Sequence, residues 1–245
     1  MTSLRIVTWN IHKGRGADLR VSIERTAELL IELDADVVLL QEVFRESERH
    51  GGFDQALYLA DALGMSHAVS CWNVPRRRGI YGNTTLSRLP LARHENVDLR
   101  WRDRKARSAL YAEATTPSGS LHLLNCHLGL SHVERLHQMR RLVRRTEQLV
   151  GEREPVVIAG DTNDWRDALH ADSLEAAGYS CSTSAGRVGR PLPTFPSVLP
   201  VGGLDRVFWR GDATVSLAST DFDARARVAS DHLPVVVEME LPRTS

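Results

Sequence analysis

Lysine is almost missing from this chain. Only Lys13 and Lys105 among the 31 basic residues are lysines, and arginine supplies the other 29. A GC-rich genome explains that bias as readily as phosphate binding does. Net charge is missing too, because 31 acidic residues cancel the 31 basic ones. No global field draws in nucleic acid or acidic lipid, so any attraction to phosphate must be local. Cysteine is scarce and odd in number. Cys71, Cys126 and Cys181 form no CxxC pair and no zinc pattern, which points to reduced, partly buried thiols. No apolar run approaches the ~20 residues needed to span a bilayer. The N-terminus enters the strand-like "LRIVTWNI" without a basic-then-apolar signal segment, so a cytoplasmic protein is expected. Linkers, low-complexity tracts and short-period repeats are absent as well. Residues 1–245 therefore read as one domain, a length at which roughly 70 to 75% of the unfolded surface is buried.

What is present is an ordered series of apolar segments. "RIVTWNI" (5–11) is a strand, and "VSIERTAELLIEL" (21–33) places Ile23, Ala27, Leu30 and Leu33 on one helical face. "DADVVLLQEV" (34–43) completes a β-α-β unit, and "FDQALYLADALG" (53–64) is a second helix with Gly64 as its C-terminal signal. Strands crowd the middle of the chain, separated by turns such as "PSG" (117–119). In "SHVERLHQMRRLVRRTEQLV" (131–150), Ser131 and Glu134 make a capping box, and Val133, Leu136, Val143 and Val150 form an apolar stripe. "PVVIAG" (155–160) is a strand, a short helix follows near 168–177, and a Gly- and Pro-rich loop covers 184–203. "LDRVFWR", "TVSLAST" and "LPVVVEMEL" close the chain as strands. Two sheets packed face to face with helices outside accommodate this order.

Polar residues sit at the ends of the apolar runs. The first strand ends in Asn10, the second in Gln41 and Glu42, "LHLLNCHLG" in Asn125 and His127, and "PVVIAGDTND" in Asp161 and Asn163. Asp205 opens one late strand, while Asp231 and His232 open another. Ligands in layered α/β proteins bind at strand ends, where side chains leave the core on rigid backbone. Strands running the other way begin at that same edge. Taken singly, each residue is as well explained as a satisfied strand-end group; six contributors at apolar strand edges are harder to explain that way. Carboxylates and amides without thiolates suit Mg²⁺ or Mn²⁺ better than zinc.

"TWNI", "LLQEV", "GNTTLSR", "NCHLG", "AGDTND", "LDRVF" and "SDHLPV" together resemble, in order, the motif series of the endonuclease/exonuclease/phosphatase superfamily. DNase I-like nucleases, abasic-site endonucleases, neutral sphingomyelinases and inositol-polyphosphate 5-phosphatases belong to it. The resemblance runs from residue 5 to residue 241, and "NIHKG" (10–14) is similar to a compact bacterial branch. It implies a four-layer α/β/β/α sandwich of two mixed sheets and a metal-dependent phosphoesterase. By resemblance, Glu42 is the principal metal carboxylate, with Asn10 beside it and Asp231 as a further ligand. Asp161 orients or deprotonates the attacking water, and Asn163 holds a phosphate oxygen or that water. His232 touches the scissile phosphate with Asp205 fixing its ring, and His127 is a second phosphate-contacting group and candidate acid. Asn83 and Arg107 are candidate substrate contacts. An anionic phosphodiester resists attack until a cation and positive or neutral donors offset its charge, which this set supplies.

Substrate stays open at this level. "PRRRG" (75–79), "RWRDRKAR" (100–107) and the arginines at 140, 141, 144 and 145 could grip DNA or RNA. Solvated arginine-rich faces are common, however, and zero net charge does not suit a protein that grips long duplexes. A phospholipid head group or small phosphodiester fits as well. From a different class, a non-catalytic sandwich that binds phosphorylated ligands would need few of these polar edges.

Overall fold

The computed structural model describes residues 1–182, 191–220 and 224–242. Chain order is β1 (Thr2–Asn10), α1 (Ile23–Leu33), β2 (Val37–Glu46), α2 (Gln55–Ala62), β3 (His67–Arg76), β4 (Gly79–Ser87), β5 (Leu91–Asp98), β6 (Ser108–Thr116), β7 (Gly119–His127), α3 (His132–Leu149), β8 (Val156–Asp161), β9 (Ser180–Cys181), β10 (Asp205–Arg210), β11 (Thr214–Thr220), α4 (Ala224–Ala229) and β12 (Val235–Leu241). The strands make two six-stranded sheets, ordered β11-β12-β1-β2-β4-β3 and β5-β6-β7-β8-β10-β9. Each is mixed: β1 and β2 are parallel, as are β7 and β8, while β12 runs against β1 and β10 against β8.

Strand alternation sorts the apolar side chains into three sets, and those sets define the layers. Leu4, Ile6, Val37, Leu39, Val235 and Val237 of the first sheet pack with Leu121, Leu123, Val157, Ala159 and Val207 of the second. Their neighbours in sequence point the other way. Val7, Trp9, Val38 and Leu40 meet α1, α2 and α4, whereas Leu124, Cys126, Val156, Ile158 and Phe208 meet α3. The result is an α/β/β/α sandwich, as the motif order implied. Among the described residues no disulfide forms, and Cys71 and Cys126 are buried while Cys181 is half-buried. Among the described residues no helix is long and apolar enough to cross a membrane.

Several local expectations shift. The second helix begins at Gln55 because the Asp54 carboxylate caps it, accepting from Ala56 N at 2.8 Å and Leu57 N at 3.3 Å. Gly64 lies just past its end with φ +62°, in the left-handed region where glycine is favoured. In α3, Ser131 Oγ accepts from Glu134 N at 3.3 Å. The packed face of α3 carries Met139, Leu142 and Val143 together with the buried polar Gln138 and Thr146, and Val133 is exposed. The expected helix at 168–177 is a π-helical turn, His170–Leu174, followed by the 3-10 turn Glu175–Ala177. Of the expected loop at 184–203, residues 184–190 lie outside the described residues. The short helix α4 went unread in "ARARVA", six residues with no apolar face long enough to register.

Candidate active site

On the face between the sheets, each apolar row ends in polar residues at one edge. Ile6 leads to Thr8 and Asn10, Leu39 to Gln41, Leu123 to Asn125 and His127, and Ala159 to Asp161. The register aligns them: Asn10 pairs with Gln41, His127 with Asp161, and Asp161 with Asp205 across the antiparallel β8–β10 ladder. Period-two alternation with two parallel pairs thus delivers these side chains to one edge of the inter-sheet layer.

The floor of that edge ties the sheets together. Gln41 Nε2 donates to Asn125 Oδ1 at 2.8 Å and to Thr8 Oγ1 at 3.0 Å. Asn125 Nδ2 donates to the carbonyls of Leu40 (3.0 Å) and Thr84 (2.9 Å). Asn83 joins them, its Nδ2 donating to the carbonyls of Ser108 and Asn125 at 3.0 and 3.1 Å. Buried amide groups need such partners, and these bonds span both sheets, although Gln41 Oε1 is buried without a partner. The nitrogen of Asn83 is therefore committed to the protein backbone.

Above the floor, Asp161 is the hub. Its Oδ2 accepts from Asn10 Nδ2 at 3.0 Å and lies 3.3 Å from His127 Nε2 and 3.8 Å from His232 Nε2. Its Oδ1 accepts from Asn163 N at 3.0 Å, and Asn163 Nδ2 is anchored on Leu128 O at 3.0 Å. The preceding Gly160 is required. Its φ is +139°, and a Cβ there would lie 1.9 Å from Cys126 O, a clash with backbone that no rotamer relieves. Gly160→Ala should therefore move Asp161 and cost most of the activity, with a lowered melting temperature. An active, stable G160A protein would contradict this placement.

His232 is held at its other nitrogen. Nδ1 lies 2.8 Å from Asp205 Oδ2, which also accepts from Thr194 Oγ1 at 2.6 Å. Phe195 covers the ring, centroids 4.8 Å apart. Ser230 Oγ donates to Asn10 O at 2.7 Å and Trp9 Nε1 to His232 O at 2.8 Å, clamping the "SDH" turn onto β1. Burial opposes charge on His232, but Asp205 and Asp161 outweigh it and raise its pKa to about 10. For Asp161, burial raises the pKa and Asp205 adds to it, against His232 and the Asn10 and Asn163 hydrogen bonds; the result is about 6. His127 goes the other way. Burial first, and then the charges of Arg107, Lys105 and His232, hold it well below the ordinary imidazole value.

Glu42 occupies a break in the β2–β4 register between Leu40 and Val43, with φ +54°. Such a bulge re-aims a side chain that strict alternation would send elsewhere. Its carboxylate pairs with Lys13, and Asp231 Oδ2 lies 3.4 Å from His12 Nδ1. Burial works against ionised Glu42, but Lys13, Lys105 and His12 prevail and its pKa is lowered. His12 and Lys13 take positive φ, 44° and 63°, in the turn after β1, and His12 N donates to Asn10 Oδ1 at 3.1 Å.

Asn10, His127, Asp161, Asn163, Asp205 and His232 thus form one connected set, with Glu42 and Asp231 beside it through the His12–Lys13 turn. Arg107 is buried and adjoins the set through its charge on His127. Sequence reasoning missed His12, Lys13, Lys105 and Thr194 as neighbours of the site. The rarity of lysine could have flagged two of them; nothing in the sequence marks Thr194, which arrives on a loop. Asp161, Asp205 and His232 also bring their ligand atoms within 4.8 Å of one another.

A family model, Endonuclease/Exonuclease/phosphatase family, matches residues 7–232. The chain belongs to that family. A family relative in Escherichia coli (strain K12), the uncharacterized protein YbhP, is 34% identical over 251 residues, spanning 98% of this chain and 97% of YbhP. Among solved structures, the endonuclease/exonuclease/phosphatase from Beutenbergia cavernae DSM 12333 superposes with a TM-score of 0.81 at 24% identity, over 98% of this chain and 72% of that one. D. rerio TDP2 complexed with single strand DNA product gives 0.72 at 22%, over 98% and 100%. These two likenesses establish the DNase I-like fold, and family membership makes a hydrolase role the coarse functional statement.

Proposed function

We propose that this protein is a divalent-metal-dependent phosphoesterase that hydrolyses a phosphodiester by direct attack of water. The observation that carries the reading is the Asp161–His232–Asp205 arrangement. Both groups are shifted upward, the acid to about 6 and the imidazole to about 10, so near neutral pH a carboxylate base stands beside a protonated imidazole. Environments that separate acid and base in this way mark proton-transfer sites.

The donor set fits a hard cation. Glu42, Asp231 and Asn10 offer oxygen atoms at the edge, and Glu42 and Asp231, less buried than Asp205, each draw a cationic or titratable partner there, Lys13 and His12. The buried Asp161, Asp205 and His232 trio is a poorer cage, because Asp205 is committed to His232 and the imidazole holds its proton. Glu42, with Asn10 and Asp231, would hold Mg²⁺ or Mn²⁺, which when bound supplies positive charge against the phosphate oxygens.

The remaining work falls to the chain itself. Asp161 orients a water and takes its proton, with Asn163 and Asn10 fixing the carboxylate. His232, charged and pinned by Asp205, donates to a phosphate oxygen as negative charge grows there. His127, held neutral, contacts the phosphate from the second sheet and is not the acid, so the leaving oxygen takes its proton from solvent as its bond to phosphorus breaks. Arg107, whose charge reaches His127, faces the substrate, whereas Asn83 stays in the floor between the sheets. Nucleic acid, a phospholipid head group and a small phosphodiester all present the same scissile group. TDP2 in complex with a DNA product lends support to the first.

Two tests follow. Calorimetric titration with Mn²⁺ should show binding to the wild-type protein that weakens at least tenfold in Glu42→Gln; equal affinity in both proteins would remove Glu42 from the metal site. The kcat/KM profile should be bell-shaped, since turnover needs Asp161 ionised and His232 protonated. Its acid limb should lie at or below pH about 6 and its alkaline limb near about 10. The limbs report the coupled pair rather than either residue alone. A profile flat from pH 4 to 11 would exclude this assignment.

A further inference from the structure

Lys13 and Lys105, the two lysines of the chain, meet over one ring. Their Nζ atoms lie 5.0 and 5.2 Å from the centroid of Tyr81. A third cation joins them: Arg76 Cζ is 5.1 Å from the same centroid, and its Nη2 donates to the Tyr81 hydroxyl at 3.4 Å. The ring is buried, Lys13 is half-buried, and Arg76 and Lys105 are exposed. The three arrive from separate places, the turn after β1, the end of β3 and the segment before β6. An aromatic face seats a cation without neutralising it.

The charge balance around this ring is one-sided. Among the described residues the ion pair recorded for these three cations is Lys13 with Glu42. Desolvation first, and then the like charges of Arg107, Arg76 and Lys13, outweigh the attraction of Glu42 and lower the pKa of Lys105. Once Glu42 is committed to a divalent ion, Lys13 loses its counter-charge as well. Three cations gathered around one ring with surplus positive charge suit a phosphate group, which presents three strong acceptor oxygens and up to about two negative charges. The place is adjacent to the proposed reaction centre, because Lys13 touches Glu42 and follows Asn10 by three residues.

We propose that Lys13, Lys105 and Arg76 over Tyr81 form a subsite for a second phosphate, making the enzyme selective for phosphodiesters that carry another phosphate beside the scissile one. This rests on the phosphodiesterase reading of the same edge. The second phosphate could belong to a nucleotide strand or to a phosphorylated head group, and the test separates these sources.

Calorimetry in Mn²⁺, on Asp161→Asn protein so that ligands are not consumed, should compare thymidylyl-thymidine with its 5′- and 3′-phosphorylated forms. A parallel arm should compare glycerophosphoinositol with its 4-phosphate. The added phosphate should tighten binding at least tenfold in one arm, and that arm identifies the source. Adding Lys105→Gln and Arg76→Gln should bring the ratio of the two affinities close to one, whereas Lys105→Arg should retain it, because charge rather than packing is at work. Equal affinities in both arms would overturn the subsite, as would a gain that survives the double glutamine change. Wild-type turnover of bis(p-nitrophenyl) phosphate separates the two levels. Turnover without any phosphate gain rejects the subsite alone, and absence of turnover in Mg²⁺ and Mn²⁺ rejects the phosphodiesterase reading beneath it.

Discussion

Asp161→Asn should reduce kcat by about a thousandfold or more without unfolding the protein, in the range expected for losing a positioned general base together with its electrostatic role. The stability half of the expectation comes from the sign of the pKa shift. Burial raises Asp161 to about 6, so the folded state disfavours its charge relative to the unfolded chain. An amide carries no such cost, and its oxygen can still accept from Asn10 Nδ2, which now lies 3.0 Å from Asp161 Oδ2, but its nitrogen then meets Asn163 N and loses the 3.0 Å bond made to Oδ1. The two effects oppose each other, so the melting temperature of D161N should change little while activity disappears. Steady-state kinetics and a thermal melt on the same sample decide it. Near-normal kcat would remove Asp161 from the mechanism.

Asp205→Asn should produce the second large effect, and one that depends on pH. Asp205 Oδ2, 2.8 Å from His232 Nδ1, is a principal reason the imidazole keeps its proton to about 10. With the anion gone, burial pulls the His232 pKa down. The alkaline limb of the rate profile should then move toward neutrality, with kcat at pH 9 falling by a factor of about 10²–10⁴, as when an orienting carboxylate is lost from a histidine. The loss at pH 6 should be smaller. Stability follows the same sign. A histidine titrating near 6.5 when unfolded and about 10 when folded contributes stability that is fully present below pH 6.5 and lost as pH rises through 10. The deficit of D205N against wild type should therefore be greatest below pH 6.5 and shrink toward pH 10. His232→Ala should abolish turnover at every pH and show no such movement of the limb. A uniform loss across pH for D205N would mean that Asp205 acts only in packing.

Much of this was legible from the chain because strand ends announce themselves. An apolar run that stops in Asn10, or in Asp161 and Asn163, states both where a strand leaves the core and which groups leave with it. The layered fold followed from the order of the runs and motifs. Alternation carries further: counting by twos from Ile6, Leu39, Leu123 and Ala159 turns Asn10, Gln41, His127 and Asp161 toward the layer between the sheets. Glu42 escapes that count, because the bulge after Leu40 reverses its direction, and a bulge leaves no composition signal in "LLQEV". His12 and Lys13 depend on consecutive positive φ values, which neither residue type advertises. Asn125 near the end of β7 and Asn83 in the middle of β4 are both held in bonds that join the sheets. Only three-dimensional placement separates such structural amides from Asn10, which points at Asp161.

The central claim is that the polar edge between the sheets is a metal-dependent centre for cleaving a phosphodiester with water. The rate on bis(p-nitrophenyl) phosphate, measured as Mg²⁺ or Mn²⁺ is restored to chelator-stripped protein, tests it most directly. Turnover should be absent in the stripped protein, rise saturably with added ion, and fail to return in Glu42→Gln at the ion concentration that saturates the wild type. Full turnover in rigorously metal-free protein would contradict the mechanism outright.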